Sequence, residues 1–184
     1  MLSPIYGWGF FTAEETGMDG SIAPGMFYFL SDQYFIDFPD QRLMQNKESI
    51  NGRPHGRPCF YAFTDEKTGL LWMIPVSSQV AKYHIHADKK IAKYGRCETI
   101  LFGEVLGHEK AFLIQNMCPV TDDYIAHLYM DVRSSTAVNV DGGFAEELVM
   151  TAKRVLGKVR QGLTKLVFPD VLSIERKLLQ RIAS

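Results

Sequence analysis

Apolar residues recur at three-and-four spacing from Gln79 to Tyr94, where Val80, Tyr83, Ala87, Ile91 and Tyr94 share one side and Lys82, His86, Lys89 and Lys93 the other. That spacing predicts a helix with a packed face and a basic solvated face, closed by a left-handed turn at Gly95. Upstream, Cys59 to Phe63 and Leu70 to Val76 read as two strands joined by Asp65-Glu66-Lys67-Thr68-Gly69, a hairpin with glycine free to take positive φ. Downstream, Glu98 to Leu106 and Lys110 to Met117 read as a second hairpin about Gly107-His108. Thr121-Asp122-Asp123 starts a short helix with a threonine cap and acids in its first turn. Gly143 to Gln161 reads as a longer helix, and Pro169 opens a last one reaching about Ile182.

Nearer the N-terminus, the aromatic-rich FYFLSDQYFIDF after Met26 reads as strand or strand plus turn, and Pro39 to Gly56 as a polar loop carrying Arg53 and His55, with Arg57 just beyond. Residues 1–25 hold seven Gly or Pro and little periodicity, so they are expected to be an N-terminal extension, with one domain over residues 26–184. Some five short strands with helices between and after them predict an α+β fold, a small half-open barrel flanked by helices; a doubly wound parallel sheet fits the spacing less well.

The chain is long and apolar enough for one sizeable core, being 184 residues with 46% hydrophobic and 12% aromatic content. No apolar run approaches the ~20 residues of a membrane-spanning helix, and MLSPIYGWGFF lacks the basic start and cleavage site of a signal peptide. Cys59, Cys97 and Cys118 are widely spaced and form no C-x-x-C pair, which suits reduced thiols in the cytoplasm.

The net charge of −1 hides an uneven distribution: −5 over residues 1–51, +5 over 52–97, −5 over 98–141 and +4 over 142–184. If the two positive blocks meet in space, they give the footprint a polyanion needs. Pro75-Val76-Ser77-Ser78 adds a second signal: it turns from a strand into the basic helix, so Ser77 or Ser78 is placed to cap the helix beside unpaired N–H groups and positive dipole charge, which suits a phosphate. No convincing metal site accompanies it, since His84 and His86 point about 200° apart on a helix.

Six ordered segments together resemble the endoribonuclease toxins of type III toxin-antitoxin systems, the ToxN, AbiQ and CptN group, and most of all its CptN-like branch. They are FYFLSDQYFIDF, GRPCFYAF, GLLWMIPVSSQVAKY, KYGRCETILFG, AFLIQNMCPVT and KLVFPDVLSIERKLL, and they span most of residues 26 to 180. The resemblance implies a compact SH3-like barrel, as in the MazF and Kid toxins, with added helices. It implies cofactor-free, metal-independent cleavage of AU- or A-rich mRNA to a 2′,3′-cyclic phosphate and a 5′-hydroxyl. The implied inhibitor is a small RNA of repeated pseudoknots, with toxin and RNA closed into a hetero-oligomer and neither DNA nor membrane as a partner.

Carried over by motif, Ser77 and Ser78 match the family's paired hydroxyls after Pro-x, and Lys82 is the nearest match to a following lysine. Better-known members place a catalytic lysine where this chain has Arg57 before Pro58. Arginine stays protonated at neutral pH, so Arg57 can supply charge but not a base, which leaves Lys82, His86 or His55 for that role. RNA contacts are expected from Arg53, His55, His86, Lys89 and Lys93, from Gln115 and Asn116 reading base edges at a strand end, and from Tyr28, Tyr34 and Tyr61 stacking on bases. The second basic block, Lys153, Arg154, Lys158 and Arg160, is expected on the antitoxin backbone. Three readings fit the sequence: a ribonuclease toxin, an RNA-binding module that does not cleave, and a phosphate- or nucleotide-binding metabolic enzyme.

Overall fold

Along strand β4 (Cys59–Thr64) and strand β5 (Leu71–Ser77) the side chains alternate between two separate cores, so both strands read as unbroken apolar runs. Phe60, Ala62, Trp72, Ile74 and Val76 face one core, while Cys59, Tyr61 and Met73 face the other. A computed structural model describes residues 22–50 and 53–184, with residues 48–50 and 53–55 through their backbone alone. The expected roles of Arg53 and His55 rest on side chains outside the described residues, as does most of the proposed N-terminal extension. Its last residues do pack on the domain: Gly25 N–H donates to the Tyr61 carbonyl at 2.8 Å, and Ile22 lies against the second core.

The remaining strands are β1 (Phe27–Leu30), β2 (Lys47–Ile50), β3 (Arg53–Gly56), β6 (Leu101–Val105), β7 (His108–Phe112), β8 (Cys118–Val120) and β9 (Ile125–Leu128). The main sheet is antiparallel and open, in the order β6-β7-β5-β4-β1-β9. Strand β5 divides its free edge between two partners, pairing Leu71 to Met73 with β8 and Val76 and Ser77 with Phe112 and Ala111 of β7. Helix α3 (Gly142–Arg160) covers the first core with Leu148, Ala152, Val155 and Val159. Helices α1 (Asp32–Asp37) and α4 (Val171–Ile182) cover the second with Tyr34, Ile174 and Leu178. Helix α2 (Val80–Tyr94) lies over a smaller third cluster, where Tyr83 meets Ile100, Ala111 and Leu113. The α+β class therefore holds, with one broad open sheet between helices.

Local signals account for the elements that match the sequence reading. Gly95 closes α2 at φ 77°, and Leu106 and Gly107 both take positive φ in the β6–β7 turn, the geometry a two-residue hairpin needs. Asp141 and Asp170 cap α3 and α4 by accepting from Phe144 N–H and Ser173 N–H, each at 3.1 Å.

Three segments differ. The second half of FYFLSDQYFIDF is helix α1, because Tyr34 and Phe38 pack inward against Tyr124 with ring centroids 5.3 and 5.7 Å away. The polar loop holds the hairpin β2–β3. Leu113 to Met117 leaves the strand for a 3-10 turn over Ile114–Asn116, since β5 passes from β7 to β8 at that point.

The second basic block of the sequence largely cements this fold. Arg160 bridges Asp65 of the β4–β5 loop at 2.6 Å and Glu175 of α4 at 2.7 Å, and its hydrogen bond holds the Asp65 carboxyl below the usual carboxylate range. An Arg160→Met variant would leave these two carboxylates side by side without their cation. It is expected to lose about 1–3 kcal/mol at pH 7. Because the folded-state pKa of Asp65 is depressed, the pair stabilises fully above the unfolded carboxylate range and fades as pH falls below about 4. Thermal unfolding at stepped pH should therefore show the gap between native and variant protein closing in acid.

Candidate functional site

Strand β5 ends where its last residue still belongs to the ladder with Ala111, and this fixes what the two serines can do. Ser77 is 1% exposed, and its hydroxyl accepts from Gln79 N–H at 3.2 Å. Neither serine occupies the helix N-cap as expected; Gln79 does, at φ −81° and ψ 55°. The ladder holds the chain extended for one residue more than capping by Ser77 would allow. Ser78 is the exposed hydroxyl of the pair, and it accepts from Lys110 Nζ at 2.8 Å.

That contact lies at a cleft of about 220 Å³ bordered by Pro58, Val76, Ser78, His108, Lys110 and Tyr129. His108 and Lys110 share a face of β7 with Phe112, which is buried in the first core. One strand thus anchors itself with a ring and offers two basic side chains at its open end. The N–H groups of Val80, Ala81 and Lys82, in the first turn of α2, have no carbonyl four residues back within the helix. A hydroxyl, an ammonium and an imidazole beside a strand-to-helix turn are suited to holding a phosphate and moving a proton.

Arg57 lies behind this cleft, at 7% exposure. Its Nε donates to the Gln45 carbonyl at 3.0 Å and its Nη1 to the Val76 carbonyl at 3.5 Å. Its place next to β5 matches expectation, but the guanidinium braces the 45–47 segment against the strand and does not open to solvent. Lys82 is exposed and sits 5.5 Å over the Tyr83 ring, away from the cleft lining. His86, Lys89 and Lys93 form the exposed basic face expected of α2.

Several expected RNA contacts are interior. Tyr61 is 3% exposed, its hydroxyl 2.5 Å from Thr64 Oγ1; Tyr28 and Tyr34 are buried as well, so none of the three can stack on a base. Gln115 and Asn116 are also buried, on a 3-10 turn and not at a strand end. Gln115 Oε1 accepts from Lys90 Nζ at 2.7 Å, and Thr99 Oγ1 accepts from the same ammonium at 2.6 Å. Burial lowers the pKa of this half-buried lysine.

The two basic blocks do meet, around Glu98. Arg96 from the first lies 3.5 Å from its carboxylate, and Arg154 and Lys158 from the second lie 3.7 and 2.5 Å away. The Lys158 hydrogen bond, first among these, holds Glu98 below the usual carboxylate range. Three cations on one carboxylate leave positive charge over. Lys153, on the same helix, sits 5.3 Å over the Phe63 ring.

Sequence reasoning missed His108 and Lys110. Their signal was the alternation His108, Lys110, Phe112, which puts both on the core-facing side of a strand at its exposed end. The pairing of that strand with Ser77 was not legible.

Among the described residues no helix is long and apolar enough to cross a membrane. No family model matches the chain, and no curated protein sequence matches it. Among solved structures it is similar to AbiQ, described as a lactococcal anti-phage endoribonuclease belonging to the type-III toxin-antitoxin system. The similarity covers 86% of this chain and 98% of that one, with a TM-score of 0.62 at 15% sequence identity. The chain therefore has the fold of AbiQ, and its own Ser78–Lys110 cleft lies where strand β5 of this chain turns into helix α2.

Proposed function

We propose that the protein is an endoribonuclease toxin of the type III class, cutting single-stranded mRNA and the precursor of its own RNA antitoxin. The observation that carries this reading is the Ser78 hydroxyl held 2.8 Å from Lys110 Nζ at the lip of a cleft that His108 also borders. The 2′-hydroxyl of the substrate attacks the adjacent phosphate, leaving a 2′,3′-cyclic phosphate and a 5′-hydroxyl with no metal in the step. Lys110 and Ser78 hold the phosphate oxygens as charge builds on them. His108 is the imidazole placed to take or return a proton.

The cations around Glu98, with the exposed lysines of α2, form the surface for an antitoxin of repeated RNA pseudoknots, closed with the toxin into a cytoplasmic hetero-oligomer. The sheet is read as a half-open relative of the SH3-like barrel of the MazF and Kid toxins. The fold shared with AbiQ, itself described as an anti-phage endoribonuclease, supports these assignments and a role in phage defence.

The test is cleavage of a single-stranded RNA by purified protein in EDTA, with the new 3′ ends analysed. Cyclic phosphate ends are expected, and Ser78→Ala should slow cleavage about tenfold, the worth of one hydrogen bond to a charged group, with an unchanged melting temperature. No cleavage, or cleavage only with a divalent cation, would overturn the mechanism. The burial of Arg57, at the place where better-known relatives carry a lysine, favours a second reading: an RNA-binding module. Salt-sensitive binding that leaves the RNA intact would establish it.

A further inference from the structure

We propose that a second cleft, next to the Ser78–Lys110 site, is a subsite for one unpaired nucleobase, which stacks on the Phe29–His127 pair. This rests on the ribonuclease reading. Phe29 of β1 and His127 of β9 face each other across the two strands, with ring centroids 4.6 Å apart and planes 23° from parallel. Tyr129 backs Phe29 edge-on at 5.3 Å, so the platform is held from behind while His127 is exposed.

These rings border a cleft of about 430 Å³ with Ser31, Asn46, Lys47 and Gly56. Its size is in the range of small-molecule sites. The Ser31 hydroxyl is buried without a hydrogen-bond partner among the described residues, an unmet polar group at the wall of this cleft.

Continuity with the phosphate site commits the occupant to a base of the same RNA strand. Gly56 borders both clefts, and a Cβ there would stand 2.8 Å from Phe29 Cε1, so only glycine leaves the ring and the passage undisturbed. Charge permits it too: the Asp32 carboxylate accepts from Asn46 at 2.5 Å and lies 3.3 Å from Lys47 Nζ, which offsets its repulsion of a phosphate. Stacking on a ring suits any unpaired base, because every base has a π face.

The experiment measures kcat/KM on a single-stranded oligoribonucleotide with one cleaved bond, against versions carrying an abasic residue at each position beside that bond. The native protein should lose about tenfold at one position, the scale of one base–aromatic stack. His127→Ala should lose a similar factor on intact RNA and nothing further on that abasic version. Losses that multiply, or no abasic effect at any position, would overturn the subsite, while cleavage that still depends on Lys110 would leave the ribonuclease reading standing. If the native protein does not cut RNA, that reading fails, and the same cycle is run on Kd by fluorescence anisotropy. Non-multiplying losses there support the subsite, and multiplying losses overturn it.

Discussion

Lys110→Ala is expected to lower kcat/KM on single-stranded RNA by about 10²–10³, the effect of removing one preorganised donor from a developing oxyanion. The ammonium is already aimed: it donates to Ser78 Oγ at 2.8 Å, so a phosphate entering the cleft meets a charge whose position has been set before binding. Lys110→Arg should recover part of the loss, because the charge returns on a wider head. Folding should hardly notice either change, since the side chain ends at the lip of the cleft, and shifts within about 0.5 kcal/mol are the rule there. Two comparisons make the result decisive. Lys82→Ala removes a cation that faces solvent over Tyr83, and a loss under about threefold is expected. Arg57→Lys disturbs the brace to the Gln45 and Val76 carbonyls, so it should lower the melting temperature more than the rate constant at a temperature where the variant is folded. Single-turnover cleavage alongside thermal unfolding separates these outcomes. A Lys82→Ala loss equal to that of Lys110→Ala would move the chemistry to the exposed face of α2.

The contrast between Lys110 and Lys82 also marks what the sequence could convey. Helix α2, the β4–β5 hairpin and the stop at Gly95 are written in short-range spacing, and the structure repeats their bounds to within a residue or two, although the packed side of α2 narrows to Tyr83 and Ala87 while Ile91 and Tyr94 are exposed. The serine pair was rightly placed at the strand-to-helix turn, yet its capping was misread because β7 pairs with Ser77 from more than thirty residues away. Both sides of the sheet are covered, so Tyr28 and Tyr61 go to one core while Phe27 and Phe60 go to the other. A reading that expects one wet face gives those tyrosines to solvent. Charge blocks could be counted along the chain, but only folding shows that Arg154 and Lys158 reach the same carboxylate as Arg96. The aromatic platform escaped notice because its halves, Phe29 and His127, come from strands β1 and β9 at opposite ends of the described chain's sheet-forming stretch.

Phe112→Ala should be the most damaging change to the fold, costing about 3–5 kcal/mol. The ring is fully buried, with centroids 6.1 Å from Phe27, 6.1 Å from Phe60 and 5.0 Å from Phe144. Little can move in to fill the space. Phe144 is itself fixed against Gly103, where a Cβ would stand 2.2 Å from its ring, and Phe27 and Phe60 pack edge to face at 5.4 Å. At roughly 2–4 °C per kcal/mol for a chain of this size, the midpoint should fall by about 6–20 °C, while Phe112→Leu, which keeps most of the volume, should cost less than half as much. The two variants also test how the site depends on the core. Strand β7 carries Phe112, Lys110 and His108 on one face, the ring in the core and the two basic side chains toward the open end, so a strand loosened at one end misplaces the ammonium at the other. Cleavage by Phe112→Ala should therefore fall at temperatures where circular dichroism still reports a folded chain, with Phe112→Leu close to native. Native rate constants in folded Phe112→Ala would mean that the anchor steadies the molecule without aiming its chemistry.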